Sequence, residues 1–139
     1  MFLTKECDYG VRIIRALSDG EKRIVESICE EEHIPGQYAY KILKKLERAG
    51  LVQGVRGRNG GYKLNKPLPQ ITLFDIVTAI DNNLYVFECL RKGHRCVNNP
   101  TADFCSIHTE FDRVQQVLQS EMSRNSMQVL LAGAKRTKS

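Results

Sequence analysis

Apolar residues recur at helical spacing through the first third of the chain and predict three short amphipathic helices. The first covers residues 3–17, the second residues 25–32, and the third residues 35–49, which begins at a proline and stops at Gly50. Gly10 lies inside the first helix, where glycine costs about 1 kcal/mol relative to alanine. The predicted buried side chains are Leu3, Cys7, Val11, Ile13, Ile14, Leu17, Ile24, Ile28, Cys29, Tyr38, Ala39, Ile42, Leu43 and Leu46.

A short β-hairpin and a fourth helix follow. Residues 52–55 and 62–64 alternate apolar and polar side chains, and the turn between them is rich in Gly and Asn, which tolerate positive φ angles. Residues 67–69 form a connector that contains two prolines. Thr72 is then expected to cap a helix that ends at residues 81–83 and buries Leu73, Ile76, Val77 and Ile80. This order of elements predicts a winged helix-turn-helix domain.

One long helix and one short helix are predicted near the carboxyl end. Asn99 and Pro100 are expected to supply the cap and the first-turn proline of the long helix. Its apolar stripe is longer than a small domain needs for its own core, which predicts a seam between two subunits; packing against the first helix of the same subunit is the alternative. A short helix is expected near residues 126–132, and a basic tail over residues 135–139. The stripe consists of Ile107, Phe111, Val114, Leu118 and Met122.

The overall composition is ordinary for a globular protein. The 139 residues, of which 42% are hydrophobic and 27% are charged, suffice for one compact domain or a small domain with an appendage. The sequence shows no long apolar run and no signal-peptide core, so we expect a cytoplasmic protein that does not bind membranes. Thiols stay reduced in that compartment, where clustered cysteines more often bind metal than form disulfides.

Basic residues are concentrated in one block of the chain. The net charge is +5, and residues 35–66 contain eight basic residues but one acidic residue. This block predicts a polyanionic partner; a solvated basic face is the alternative. The outward face of the third helix suits the major groove of DNA, and the hairpin tip suits a phosphate or the adjacent minor groove. Double-stranded promoter DNA is therefore the predicted partner, and the predicted contacts are Gln37, Tyr40, Lys41, Lys44, Lys45, Arg56 and Arg58.

Three of the five cysteines lie in one polar segment. Cys89, Cys96 and Cys105 are followed by His108, three residues after the last thiol. Thiolates grouped in this way, with a histidine nearby, suit a soft metal ion or an iron–sulfur cluster, and the irregular spacing does not choose between them. The other two cysteines have apolar neighbours and are expected to be buried structural thiols.

Three stretches of the chain match a known pattern: Leu3-Thr4-Lys5-x-x-Asp8-Tyr9, Tyr38-x-x-x-Ile42-Leu43-x-x-Leu46-x-x-Ala49-Gly50-Leu51-Val52 and Val55-Arg56-Gly57-x-x-Gly60-Gly61-Tyr62. They resemble the Rrf2 family of bacterial winged-helix regulators, which contains IscR, NsrR and CymR. The resemblance extends over nearly the whole chain. It implies a homodimer whose long helices cross and, in many members, an iron–sulfur cluster held by three cysteines.

The resemblance assigns the three cluster ligands to Cys89, Cys96 and Cys105. NsrR-like members complete a [4Fe-4S] cluster with an aspartate from the first helix of the partner subunit, which corresponds to Asp8 here. IscR-like members instead use a histidine three residues after the last cysteine with a [2Fe-2S] cluster, which corresponds to His108. The gaps of six and eight residues between the cysteines are wider than in IscR-like members, so Asp8 and [4Fe-4S] are favoured. The remaining candidates are Cys7, His94 and an exogenous ligand.

These features together predict a dimeric transcriptional regulator that senses redox, nitric oxide or iron–sulfur status. The fold class is mainly α with a small β-hairpin wing. We divide the chain into a winged helix-turn-helix DNA-binding domain (1–83), a cysteine-bearing cluster-binding loop (84–105), and a dimerisation helix with the C-terminal tail (106–139).

Two rival interpretations keep DNA binding and replace the cluster. One places zinc on Cys89, Cys96, Cys105 and His108. The other is a thiol switch in which Cys96 or Cys105 forms a reversible disulfide. A redox enzyme or electron-transfer protein would need a substrate pocket or redox partner that no motif indicates, and the Gly-rich turn lacks the Gly-Lys-Ser/Thr of nucleotide-hydrolysing loops. The chain is therefore predicted not to be an enzyme, and no small-molecule substrate is implied.

Overall fold

The computed structural model describes residues 4–82 and 84–133. Leu3, the end of the fourth helix at Asn83, and the predicted basic tail lie outside these residues. The helices are α1 (Lys5–Ala16), α2 (Val25–Glu32), α3 (Gly36–Arg48), α4 (Leu73–Ile80), α5 (Ser106–Met122) and α6 (Met127–Ala132); the strands are β1 (Val52–Val55) and β2 (Gly61–Leu64), and short 3-10 turns occupy Leu68–Gln70 and Glu88–Leu90. Within the described part of the chain, no helix is both long and apolar enough to cross a bilayer.

The core is built by the first four helices, as their apolar periodicity predicts. α1 packs against α2, α3 and α4, and α3 also contacts α2 and α4. Two predicted core residues are exceptions: Ile24 is 48% exposed because it lies at the N-cap of α2, outside the helical stripe, and Tyr38 is 39% exposed. The Tyr38 ring rests against Tyr9, with ring centroids 5.9 Å apart, and keeps its other face in solvent. The fully buried side chains include Ile13, Ile14, Leu17, Ile28, Ile42, Leu43, Leu46 and Ile76.

Gly10 is a packing residue rather than a tolerated weakness in α1. It is buried, and a Cβ atom at this position would lie 3.2 Å from side-chain carbons of both Ile76 and Ile80 in α4. The lack of a side chain therefore lets α1 and α4 approach closely. The helix-propensity cost of glycine is offset by this close contact.

A buried ion pair connects the end of α2 to α1. The Glu32 carboxylate is 2% exposed and accepts hydrogen bonds from the Arg15 guanidinium, one of them at 3.1 Å from Nε. Arg12 also donates to the Glu32 backbone carbonyl at 3.1 Å. The next residue, His33, adopts a left-handed conformation with φ of 55° and turns the chain into α3. These contacts fix the helix-turn-helix geometry from the α1 side.

The predicted wing is an antiparallel pair in which Val52 faces Leu64 and Val55 faces Gly61. The hairpin is fastened at two points. Arg23 and Tyr62 exchange two backbone hydrogen bonds of 2.9 Å, and the Glu47 carboxylate of α3 accepts a hydrogen bond of 2.5 Å from the Gly54 amide. The wing is therefore held rigidly against the helix-turn-helix.

We expect Gly61→Ala to lower the free energy of unfolding by about 1–3 kcal/mol, since overpacking against fixed neighbours costs this much. A Cβ atom at position 61 would lie 2.3 Å from the Arg23 carbonyl oxygen, so the bridge to the wing must open. Gly133→Ala is the matched control, because its Cβ would meet only backbone oxygens at 3.9 Å. Urea denaturation of both variants checks the prediction, and equal stability would contradict it.

The predicted N-cap of α4 is confirmed, whereas the predicted start of α5 is wrong. Thr72 caps α4 through a capping box with Asp75, as predicted. The long helix does not begin at Asn99 and Pro100: the Asn99 side chain accepts from the Asp103 amide at 3.1 Å and donates to the Asp103 carbonyl at 2.8 Å, which closes a separate turn. α5 begins at Ser106, with Cys105 as its N-cap.

α6 packs against the 3-10 turn Leu68–Gln70, which precedes α4. The short helix predicted near residues 126–132 is confirmed, with Ser126 as its N-cap. Met127 is 1% exposed and donates from its amide to the Ile71 carbonyl at 2.7 Å. α5 is therefore held at both ends, by α6 on one side and by the cysteine-bearing segment on the other.

Candidate DNA-binding face and cysteine cavity

The outward side of α3 carries four exposed polar side chains, which we call the reading face: Gln37, Tyr40, Lys41 and Lys44. They project from this side because the buried positions of the same helix, Ala39, Ile42, Leu43 and Leu46, are fully enclosed by α1, α2 and α4. A helix face of amide, hydroxyl and ammonium groups can contact both base edges and phosphates in a major groove.

Lys45, also predicted to bind DNA, lies at the edge of this face. It is half-buried, and its Nζ donates to a Glu6 carboxylate oxygen and to the Ile80 carbonyl, both at 3.2 Å. Lys41 donates to the other Glu6 oxygen at 2.9 Å. Groups of α1 and α4 therefore already bind lysine side chains that the sequence pattern assigned to DNA. A contact between Lys45 and DNA stays a prediction.

The tip of the wing presents Arg56 and Arg58, both exposed. The wing and the reading face border one groove of about 460 Å³, which is lined by Tyr40 and Arg56 among others. Tyr62 lies in the same groove, where burial, helped by Glu47 and Tyr40, raises the pKa of its phenol above the usual value of 10.0. The groove between the wing and α3 therefore contains two tyrosine hydroxyls, the Arg56 guanidinium and the carboxylates of Glu26 and Glu47.

The second candidate site is a cavity of about 740 Å³ between the cysteine-bearing segment and the start of α5, which we call the cysteine cavity. Its lining includes all three predicted thiol ligands and both nearby histidines: Cys89, Cys96, Cys105, His94 and His108. The three thiols are free and half-buried. Among the residues that the structure describes, no three potential ligands are close enough together to hold a metal ion.

Cys105 occupies a special position at the start of α5. Its sulfur accepts a hydrogen bond from the His108 amide at 3.4 Å, so the thiol serves as the N-cap. The sulfur thus faces the amino-terminal end of α5.

Two contacts that the sequence analysis missed hold the cavity in place. The buried Gln115 side chain donates to the Leu84 carbonyl at 2.7 Å and accepts from the Val86 amide at 2.8 Å. The Phe87 and Phe111 rings stack with centroids 3.6 Å apart. A signal for Gln115 was present, because it follows Phe111 by four residues and is a polar residue on an otherwise apolar stripe.

We expect Gln115→Leu to destabilise the fold by about 1–3 kcal/mol, because it leaves two buried backbone groups without partners. Gln116→Leu is the control: Gln116 is exposed and bonds only to the Asp112 carboxylate, at 2.7 Å. Denaturation and amide hydrogen exchange at Val86 distinguish the variants. A Gln116→Leu protein that loses as much stability as Gln115→Leu would contradict this role.

The ligand candidates of the first helix, and the structural thiol Cys29, do not line the cysteine cavity of their own chain. Asp8 is exposed on α1 and forms an ion pair of 2.9 Å with Arg12. Cys7 is 4% exposed, in agreement with the prediction that it belongs to the core. Cys29 is half-buried, and burial, followed by the charge of Glu26, raises the pKa of its thiol. That shift disfavours the reactive thiolate at Cys29.

Large apolar side chains are exposed beside the cavity and along α5. Val97 is 91% exposed and Phe104 is 85% exposed, and Ile107 and Val117 are also solvent-facing. Part of the predicted apolar stripe packs within its own chain, since Leu118 and Met122 lie against the core and Phe111 stacks on Phe87, and Ile107 is its exposed member. Exposed apolar surface of this extent marks an interaction surface.

Comparison with known proteins gives concordant matches. The model of the Rrf2 family, described as iron-dependent transcriptional regulators, matches residues 3–133. Protein aau3 of Rhizobium meliloti is 40% identical over 111 residues, which are 78% of this chain and 70% of the relative. The regulator NsrR of Oceanobacillus iheyensis is 34% identical over 104 residues, 72% of this chain and 71% of that protein. The solved structure of T. potens IscR has a TM-score of 0.74 at 21% identity, covering 99% of this chain and 90% of that one.

Proposed function

Because the chain belongs to the Rrf2 family of transcriptional regulators, we propose that it acts on promoter DNA as a homodimer whose DNA binding responds to an iron–sulfur cluster on Cys89, Cys96 and Cys105. Membership confirms the predicted winged-helix fold and places the chain among regulators rather than enzymes. One observation carries the cluster proposal: three free thiols line a single cavity in a chain that also presents a basic helix and wing.

The reading face and the wing have separate tasks in this proposal. Gln37 and Tyr40, in the first turns of α3, contact base edges in the major groove. Lys44 contacts a phosphate, and the wing arginines Arg56 and Arg58 contact a phosphate or enter the adjacent minor groove. The hydrogen bond from the Gly54 amide to Glu47 ties the wing to α3, and the bridge between Arg23 and Tyr62 ties it to the segment before α2, which pre-organises both contacts.

The apolar surface of α5 supports a homodimer. Ile107 is 59% exposed and Val117 is 50% exposed. Both lie on α5, and a single chain leaves them uncovered. A second copy of the same helix would cover them. Symmetric dimers are also the form in which helix-turn-helix proteins read two half-sites.

The donor set of the cysteine cavity fits an iron–sulfur cluster. Thiolates are the usual ligands of such clusters, and the three cysteines line one cavity. The fourth ligand is proposed to be Asp8 of the partner subunit, with a [4Fe-4S] cluster; His108 with a [2Fe-2S] cluster is the alternative. Asp8 would exchange its ion pair with Arg12 for this role. When bound, the cluster supplies a centre that reacts with nitric oxide or oxygen and depends on iron supply.

Contacts within the protein link the cysteine cavity to the DNA-binding helix α3. Three thiolates bound to one group fix residues 84–105, which are otherwise anchored mainly by Gln115 and the stack of Phe87 on Phe111. If Asp8 is a ligand, the start of α1 is fixed as well. Glu6, in the same turn, holds Lys41 and Lys45 of α3, so a displacement of α1 is passed to the reading face. Occupancy thereby shifts the population of DNA-competent dimers.

Paired variants test the fourth ligand. We expect Asp8→Ala to change the cluster's visible absorption and circular dichroism and to give the same DNA affinity with and without the cluster. We expect His108→Ala to keep both the native spectra and the response. Unchanged spectra and response in Asp8→Ala, together with their loss in His108→Ala, would transfer the role to His108.

Selection of duplexes from a random pool tests the regulatory function as a whole. The anaerobically purified protein is expected to enrich a two-fold symmetric sequence, and its affinity for that sequence is expected to change at least tenfold, about 1.4 kcal/mol, after chelation of iron. Failure to enrich any sequence would contradict promoter recognition. An enriched sequence that is bound equally before and after chelation would contradict cluster sensing alone.

A thiol switch is the second candidate, since all three cavity cysteines are free and half-buried. It predicts a reversible disulfide involving Cys96 or Cys105 and no bound iron. Zinc on the three thiols and His108 is a further form of the same regulator. Non-reducing peptide mapping after mild oxidation and metal analysis separate these forms from the cluster protein.

A further inference from the structure

Glu6 stands between the first helix and the predicted DNA-reading helix. Its side chain is 24% exposed, and its two carboxylate oxygens accept hydrogen bonds from Lys41 at 2.9 Å and from Lys45 at 3.2 Å. One carboxylate thus bridges two ammonium groups of α3 and balances part of the positive charge along one edge of that helix.

The neutralisation is confined to that edge. Lys41 and Lys45 are four residues apart and share one side of α3, while Lys44 lies nearer the middle of the reading face. No residue in the described part of the chain forms an ion pair with Lys44. Lys44 is thus free to meet a phosphate, whereas Lys41 must share its charge between a phosphate and a fixed carboxylate.

We propose that Glu6 is a specificity-determining residue: it withholds Lys41 from sequence-independent phosphate contact and so weakens binding to non-specific duplex DNA. This inference rests on the proposed reading of DNA by α3.

The proposed effect is electrostatic. A lysine that reaches a phosphate on B-DNA displaces condensed counterions, and each such contact steepens the dependence of log K on log salt by about 0.9. A carboxylate within hydrogen-bond distance of the same ammonium repels the incoming phosphate and reduces that release. The ion pair between Glu6 and Lys45 is mostly shielded from solvent, so salt screens it less than it screens an exposed ion pair. Lys45 stays held by the Ile80 carbonyl even without the Glu6 charge.

The experiment compares wild type and Glu6→Gln, the isosteric change that removes the charge, at equal iron content. Binding to a mixed-sequence 30-base-pair duplex is measured by fluorescence anisotropy between about 0.05 and 0.3 M salt. We expect the variant's salt slope to be steeper by about 0.9 for each DNA-contacting head, and its affinity at 0.1 M salt to be stronger by roughly fivefold or more.

Two further variants separate the proposed role from a structural one. Glu6→Gln combined with Lys41→Met is expected to return the slope to the wild-type value or below, which a general loosening of α1 would not do. Glu121→Gln removes the same charge from an exposed pair on α5 and is expected to leave the slope unchanged. A steeper slope that persists in the double variant, or that appears equally in Glu121→Gln, would overturn the inference.

The same measurements distinguish the role of Glu6 from the proposed binding of DNA by α3. Salt-dependent binding by wild type with an identical slope in Glu6→Gln overturns the role of Glu6 and leaves DNA recognition intact. A wild-type protein that shows no salt-dependent binding to duplex DNA overturns the DNA-binding proposal, and the inference with it.

Discussion

Cys96→Ala is expected to reduce bound iron and acid-labile sulfide at least tenfold and to make DNA affinity indifferent to iron chelation. The sulfur of Cys96 is one of three thiols that line the cysteine cavity, so its loss removes a ligand rather than a supporting contact. Even changes in outer-shell partners of metal sites cost about 10- to 100-fold in metal affinity. Iron and sulfide assays on anaerobically purified protein provide the measurement.

Cys29→Ala is the matched control for this experiment. It removes a half-buried thiol that lies outside the cavity lining and whose raised pKa disfavours the thiolate. Its iron and sulfide contents are expected to equal those of wild type. Loss of iron in Cys29→Ala, or full retention in Cys96→Ala, would show that the ligand set has been assigned wrongly.

Removing both wing arginines is expected to weaken binding to duplex DNA by on the order of tenfold or more at 0.1 M salt. Arg56 and Arg58 are exposed at the hairpin tip, and Arg56 lines the groove that Tyr40 of the reading face also borders. Each lost phosphate contact is expected to flatten the salt slope by about 0.9. Fluorescence anisotropy on Arg56→Ala/Arg58→Ala measures both quantities.

The control for the wing is Arg113→Ala/Arg124→Ala, which removes one exposed arginine of α5 and one just beyond its end and leaves the wing intact. Net charge falls equally in the two proteins, so a general electrostatic effect would alter both slopes alike. Equal slopes in the two double variants would contradict a direct contact between the wing and DNA.

The fold was predictable where apolar periodicity alone determines an element. α1 to α4 each bury a stripe at helical spacing, and the capping box of Thr72 with Asp75 is a local signal. The wrong start at Asn99 has a local cause too: the same side chain that can cap a helix can close a turn, and here it bonds to Asp103. Local chemistry could not choose between these two uses.

Long-range contacts explain the other differences. Within a single helix Gly10 only lowers helix propensity. In the structure it allows α4 to pack closely against α1. The sequence pattern assigned Lys45 to a basic face. In the structure Lys45 binds Glu6, which is 39 residues away in the sequence. Gln115 matters because a segment about thirty residues earlier bonds to it, as the sequence separations of 31 and 29 show.

The candidate metal site was predictable in part. The sequence groups three thiols, and the structure brings them to one cavity together with both histidines. The proposed fourth ligand is different in kind, because Asp8 is exposed on α1 and does not line the cavity of its own chain. A ligand contributed across a dimer leaves no pattern within a single sequence, so the choice between Asp8 and His108 stays a prediction.

Anaerobic purification followed by iron, sulfide and zinc analysis with Mössbauer spectroscopy tests the central proposal most directly. We predict a brown protein with visible absorbance, iron and acid-labile sulfide in equal amounts, and a Mössbauer spectrum of the [4Fe-4S] type. A colourless protein that contains stoichiometric zinc, or no metal at all, would contradict the proposal that Cys89, Cys96 and Cys105 hold an iron–sulfur cluster.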